Sequence, residues 1–207
     1  MSCASRARQR GFLLNPARFG AGAAAGATWD ATYNTTGLTY SEGNLRITPK
    51  NSIHQNARSS RAIVGKVYFE VLINAQGING TPTIGVAAAM GANAAVGEDS
   101  TSWGYRVASG FGIYRHNAVT ASGKGTVSAG GTVMVAVDMP GGKIWFGKNG
   151  AWNEGNPAAG TGAPYTDLAG TLYAATGLDS ITGVADAAAR FSSSSWVYSA
   201  PSGFGQL

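Results

Sequence analysis

Residues Gly131–Trp152, GTVMVAVDMPGGKIWFGKNGAW, read as two β-strands folded back on each other. Val133, Val135 and Val137 fall on one face of the first strand, and Met134, Ala136 and Asp138 on the other, because strand side chains alternate with period two. A row of branched aliphatics on one face needs a core to pack against. Pro140-Gly141-Gly142 supplies the turn, with φ preset at the proline and freedom to adopt positive φ at the glycines. Lys143-Ile144-Trp145-Phe146 runs back, and Asn149-Gly150 opens a second tight turn. The unit is a building block of a β-sandwich.

The rest of the chain keeps the same style. Of 207 residues, 31 are glycine, and short Val/Ile/Tyr/Phe/Trp runs alternate with Gly, Asn, Ser and Pro clusters. Many short strands punctuated by turns indicate an all-β sandwich or barrel, and one such domain accommodates this length. Sustained i, i+3, i+4 apolar spacing is missing. Ala21–Ala27 is interrupted by Gly22 and Gly26, each costing about 1 kcal/mol against Ala in a helix. Ala185–Ala189 has room for one helical turn.

Several segments together resemble the SPRY family. They are Gly65-Lys66-Val67-Tyr68-Phe69-Glu70-Val71, Thr83-Ile84-Gly85-Val86-Ala87, Ser102-Trp103-Gly104-Tyr105-Arg106 and the Gly131–Trp152 hairpin. Leu172-Tyr173-Ala174-Ala175 is similar to a further strand of the family, without its usual proline. Ala189-Arg190-Phe191, Trp196-Val197-Tyr198 and Ala200-Pro201-Ser202-Gly203-Phe204 resemble the closing strand and tail of bacteriophage-type members. The resemblance runs in order from Leu38 to Leu207. It implies an antiparallel two-sheet sandwich of the concanavalin A-like jelly-roll type. It implies little about function, because one sandwich carries many binding roles.

Charge divides the chain. Arg6, Arg8, Arg10 and Arg18 all precede the first acid, Asp30, whereas from Trp29 onward 11 basic residues face 10 acidic ones. We therefore divide the chain into an extended arm, 1–28, and a sandwich, 29–207. A nucleic-acid arm is disfavoured, because the body has no basic stripe and no RNA-type aromatic motif. Within the arm, Phe12, Leu13, Leu14, Arg18 and Phe19 form an apolar and cationic segment suited to anchoring on a neighbour or packing back on the sandwich. Gly20–Ala27 connects it to the body. Its wording, Gly-Phe-Leu-Leu-Asn-Pro-x-Arg-Phe, resembles openings of tailed-phage proteins with SPRY-like bodies. The apolar run is too short for a secretory signal, and no stretch is long enough to insert into a membrane as a helix. Cys3 is the single cysteine, so no internal disulfide forms.

Catalytic patterns are missing from the sequence. The acids are scattered, without a strand that aims a carboxylate pair at one bond. His54 and His116 have no Cys, His or acid at metal-ligand spacing, and no calcium loop is present. Ser192–Ser195 lacks an elbow motif, and Gly123-Lys124-Gly125-Thr126 lacks the spacing of a phosphate loop. The expectation is a protein that is no enzyme and needs no metal or cofactor.

Binding remains. Two segments combine aromatic rings with directed polar groups: Trp103, Tyr105, Arg106, Tyr114, Arg115 and His116 in the first, and Trp152 and Asn153 in the second. The alternation of Trp103 and Tyr105 with Ser102, Gly104 and Arg106 also allows one parity to be core. The resulting expectation is a virion structural protein, in a tail, fibre or capsid decoration. Its arm would engage other virion proteins and its sandwich a host-surface glycan or protein, in a homo-oligomer such as a trimer. A stand-alone carbohydrate-binding module or lectin is the alternative.

Overall fold

The computed structural model describes residues 26–34, 36–50, 55–76, 82–88, 90, 95–107, 113–116, 118–178 and 185–207. Thirteen strands are formed among them, and no helix. The strands are β1 (Leu38–Ser41), β2 (Arg46–Pro49), β3 (Gln55–Ala62), β4 (Lys66–Gln76), β5 (Thr83–Ala87) and β6 (Ser102–Arg106). They continue with β7 (Ile113–His116), β8 (Ala118–Ala121), β9 (Thr132–Asp138), β10 (Lys143–Lys148), β11 (Ala151–Trp152), β12 (Tyr173–Leu178) and β13 (Ala185–Arg190). A seven-stranded sheet runs β1-β2-β13-β4-β9-β10-β11, and a six-stranded sheet runs β3-β12-β5-β6-β7-β8. All strand pairs are antiparallel. The expected two-sheet sandwich is what forms.

The Gly131–Trp152 unit folds as its alternation requires. Val135 lies opposite both Phe69 and Phe146, and Ala136 opposite Tyr68 and Trp145. Val133, Val135 and Val137 face the space between the sheets, where Phe69, Ile84, Val86, Phe146, Leu172 and Phe191 are buried with them. Trp29 joins this core, its ring edge-on to Phe191 at 4.9 Å. Asn149 takes a φ of 47° at the Asn-Gly turn and accepts the Thr132 amide at 2.8 Å.

Ala185–Ala189 is a strand and not a helical turn. Ala187 and Ala188 are paired on one side with Ile73 and Leu72 and on the other with Ile47 and Arg46. Small side chains fit the middle of the sheet, and two neighbouring ladders override alanine's helical preference. Gly123–Gly125, whose glycines suggest a hairpin turn in the sequence, instead carries the chain from the six-stranded sheet to the seven-stranded one.

Each sheet also has a covered outer face. On the seven-stranded sheet, Tyr68, Met134, Ala136 and Trp145 are buried beneath Phe204, with Trp196, Tyr198 and Trp152 packed around them. The cover is the strap 191–207, and Gly205 lies beside Val67 in the place that β13 leaves after Arg190. On the six-stranded sheet, Ala87 and Ala175 lie beneath Val96 of the 95–101 loop.

Arm residues Phe12, Leu13, Leu14, Arg18 and Phe19 lie outside the described residues. The described chain begins on the body: Ser60 donates to the Thr28 carbonyl at 2.7 Å, and Trp29 pairs with Ser59 at the edge of β3.

Candidate functional site

β6 and β7 pair with Tyr105 opposite Tyr114, so alternation puts Trp103 and Tyr105 of β6, and Tyr114 and His116 of β7, on the inner face. At the end of this face the Trp103 indole and His116 imidazole stack, centroids 4.6 Å apart and planes within 7°. Both rings point a nitrogen at one carboxylate. Trp103 Nε1 donates to Asp167 Oδ1 at 3.0 Å, and His116 Nε2 lies 3.5 Å from Oδ2. His116 Nδ1 is 3.0 Å from the Ser102 carbonyl, which only accepts, so Nδ1 carries a proton.

Tyr165 completes the group. Its ring stands edge-on to His116 at 6.0 Å, its hydroxyl bonds to Thr120 Oγ1, and its backbone bridges to Ile144. Behind it Tyr114, Tyr105 and Phe146 form a continuous stack of tilted and edge-on rings. Burial raises the pKa of Tyr105, Tyr114 and Tyr165, so all three are neutral phenols at physiological pH. Tyr105 donates to the Gly125 carbonyl at 2.6 Å. Asn153 turns its amide toward the Tyr105 and Tyr114 hydroxyls, close enough to temper their pKa rise. The Asn153 Nδ2 and the Tyr114 hydroxyl are both buried without a hydrogen-bond partner. Lys124 sits 5.3 Å over the Tyr114 ring and pairs with Glu154, closing this side.

The candidate residues therefore divide. Trp103, Tyr105, Tyr114, His116 and Asn153 belong to one inner cluster that reaches the surface at Asp167. Tyr105 and Tyr114 are wholly buried and hold the cluster rigid without presenting a face to solvent. Arg106 lies on the opposite face of β6, opposite Thr83 and Ile113. The Arg115 backbone pairs with Gly104, and its side chain lies outside the described residues. Trp152 belongs elsewhere: half-buried on the outer face of the seven-stranded sheet, it stands edge-on to Tyr68 at 6.2 Å.

Tyr165 was read from the sequence as an aromatic of the 149–166 loop, whereas Asp167, Thr120 and Lys124 were not singled out as binding residues. Asp167 is 64 positions from Trp103, and only the fold brings them together. Among the described residues no group of three metal-ligating side chains converges.

A family model for the SPRY domain matches residues 66–183, more than half of the chain. The chain belongs to the SPRY family. Among solved structures, the SPRY domain of human HERC1 aligns with a TM-score of 0.59 and 20% identity over 73% of this chain and 91% of that one. The TRIM65 PSpry domain aligns with a TM-score of 0.60 and 13% identity over 80% and 92%. Stonustoxin aligns with a TM-score of 0.51 and 18% identity over 80% of this chain but 27% of its own. At these identities the likenesses show the fold. No curated protein matches significantly. The SPRY match leaves out the arm with β1–β3 before residue 66, and β13 with the strap after 183, while Trp103, His116 and Asp167 lie inside it.

Proposed function

We propose that this SPRY sandwich is a non-enzymatic binding head on a bacteriophage particle, in a tail, fibre or capsid decoration. The arm fastens it to other virion proteins, and the sandwich is displayed toward the host surface. The observation that carries the reading is the way the arm joins the body. The basic, apolar segment precedes Trp29, which is fully buried in the core and paired with β3, so a tether at the arm is rooted in the rigid sandwich. Loops on such a scaffold present fixed surfaces, and many copies on a particle compensate for weak single-site affinity. The phage-like wording of the arm and of the Trp196–Phe204 tail supports the same assignment.

The test is a paired pull-down of the full chain and a shortened chain beginning at Gly26, against purified particles and intact host cells. Loss of particle association with cell binding retained is the expected result. Binding of both chains to particles alone removes the host-recognition part. Saturable glycan binding by a monomeric shortened chain, with no particle association, favours the lectin alternative.

A further inference from the structure

The turn between β10 and β11 carries a chemistry that its packing role leaves unused. An asparagine followed by glycine is open to attack on its own side chain, because no Cβ shields the following amide. The sequence holds Asn79-Gly80, which lies outside the described residues, and Asn149-Gly150. Asn149 and Gly150 are both exposed, so water and hydroxide reach them. In the reaction hydroxide takes the Gly150 amide proton, and the nitrogen forms a bond to Asn149 Cγ. The Cγ–Nδ2 bond breaks, and Nδ2 takes up a proton from water and leaves as ammonia. Water then opens the cyclic imide at either carbonyl, giving aspartate or isoaspartate at position 149.

The folded chain restrains each reacting part. Asn149 Oδ1 accepts the Thr132 amide at 2.8 Å, and the Asn149 amide donates to the Thr132 carbonyl at 3.0 Å, so backbone and carboxamide are both fixed to the start of β9. The Gly150 N–H points at Met134 Sδ, 3.2 Å away. The electron pair left when that proton departs lies along the same direction, toward the sulfur rather than toward Asn149 Cγ. A thioether is a weak acceptor, so this contact acts through direction more than through strength. Tyr198 of the strap lies over the glycine: a Cβ built on Gly150 would stand 3.0 Å from its Cδ1. Met134 is buried beneath the same strap, with Trp196 and Tyr198 packed against its cluster. Two of the three restraints therefore depend on the strap being in place.

We propose that Asn149-Gly150 is a deamidation site gated by the strap, silent while Tyr198 and Met134 hold Gly150 and reactive when the strap lifts. The change runs one way. Isoaspartate routes the main chain through its own side-chain methylene, so the turn that sets Lys148 opposite Val133 and Ala151 is not remade in its native form. A strap that has lifted for long enough leaves a permanent mark at this turn, and local opening becomes irreversible.

Incubation of the full chain in mildly alkaline buffer tests this, with isoaspartate at position 149 followed by peptide mapping that resolves it from Asn79. The denatured chain is expected to react at least roughly tenfold faster than the folded one, because folding removes the attacking geometry. Tyr198→Ala, measured while folded, should react several-fold faster than wild type. Ile84→Val weakens the inner core away from the strap and should leave the rate as in wild type. A folded wild-type chain that reacts as fast as the denatured one overturns the proposal, as does a Tyr198→Ala chain that reacts no faster than wild type. An equal rise in Ile84→Val also overturns it, since global unfolding and not the strap would then open the site. If Tyr198→Ala fails to fold, Met134→Leu takes its place, removing the sulfur while keeping the apolar volume. Its rate must then exceed that of wild type, and a rate equal to wild type overturns the proposal.

Discussion

The two sheets of this molecule cover their outer faces in opposite ways. The seven-stranded sheet raises large side chains, Tyr68, Met134 and Trp145, and the strap meets them with rings of its own. Trp196 stands edge-on to Tyr68 at 4.9 Å, and Phe204 to Trp145 at 6.3 Å. The six-stranded sheet raises almost nothing. Ala87, Ala175, Gly85, Gly104 and Gly177 form a floor of small residues, and the 95–97 backbone lies directly on it. A Cβ on Gly104 would stand 2.7 Å from the Val96 carbonyl oxygen, and one on Gly177 3.3 Å from the Val96 nitrogen. One roof is held by apolar area, the other by the absence of side chains. The polar fastenings differ as well. Glu70, wholly buried, accepts from the Val197 and Tyr198 amides, the Tyr68 hydroxyl and Arg190. On the other roof a small hydroxyl joins loop to sheet: Ser102 Oγ accepts from Gly97 N at 2.7 Å and donates to the Asp99 carboxylate, while Glu98 accepts from the Ala95 amide within the loop.

The largest effect should come from removing the aromatic roof. A chain ending at Phe191 uncovers Tyr68, Met134 and Trp145 and strips Glu70 of its backbone donors. Each large ring left without its packing partner costs about 3–5 kcal/mol, so the loss rivals the whole stability of a domain. We expect no cooperative thermal unfolding transition. A sharp transition in the shortened chain would show that the strap is ornamental.

Next comes the carboxylate beneath it. Glu70→Gln leaves Arg190 without its buried counter-charge and turns an acceptor-only group into one that also donates toward the Val197 and Tyr198 amides. A loss of about 3–5 kcal/mol in denaturant unfolding is expected. The matching change on the other roof, Ser102→Ala, removes one hydrogen bond between neutral groups and one to a carboxylate that keeps its Thr101 partners, and should cost about 1–2 kcal/mol. Equal losses would erase the distinction between the two fastenings. Gly104→Ala belongs between them, at about 1–3 kcal/mol, because the new methyl must displace backbone and not a flexible side chain.

These contrasts also explain what could be read from the sequence. Val133, Val135 and Val137 announced the inner core, because alternation with branched residues has few other uses. The aromatic strap was visible as a tail, Trp196 to Phe204, but not as a roof, since nothing in Met134 or Trp145 says which segment covers it. Gly85 and Gly104 were visible as family wording, yet the loop resting on them was not, because a glycine floor is defined by what approaches it. Trp103 and His116 were singled out as aromatic and polar neighbours. Their joint partner Asp167 was read as an isolated acid, because the contact is created by sheet pairing across many positions. Trp152, chosen on the same grounds as Trp103, packs on Tyr68 under the strap, which shows that an aromatic in a turn-rich segment carries no address.

The smallest effect sharpens the comparison at the edge of the six-stranded sheet. There Arg58 lies between the Tyr33 and Tyr173 rings, 4.7 and 4.8 Å from their centroids, and pairs with Asp30 at 3.1 Å. The Thr32 hydroxyl does most to hold the Asp30 carboxyl below its ordinary value, with the Thr32 amide and Arg58 adding to it against the opposing pull of burial. A carboxylate whose folded pKa is depressed stabilises the fold above its unfolded value, and that contribution disappears as pH falls through the folded one. Asp30→Asn should therefore cost under about 1 kcal/mol near neutral pH, as a partly exposed pair does. The gap between variant and wild type should narrow as the pH drops below about 4, where the free carboxyl begins to take up its proton. Unfolding free energies measured at neutral and acidic pH decide it. A gap that stays constant would mean that Asp30 acts through the shape of its turn with Thr32. Buried ion pairing would then be a fastening of the seven-stranded sheet's strap, and the edge of the six-stranded sheet would be held by turn shape and by the rings around Arg58.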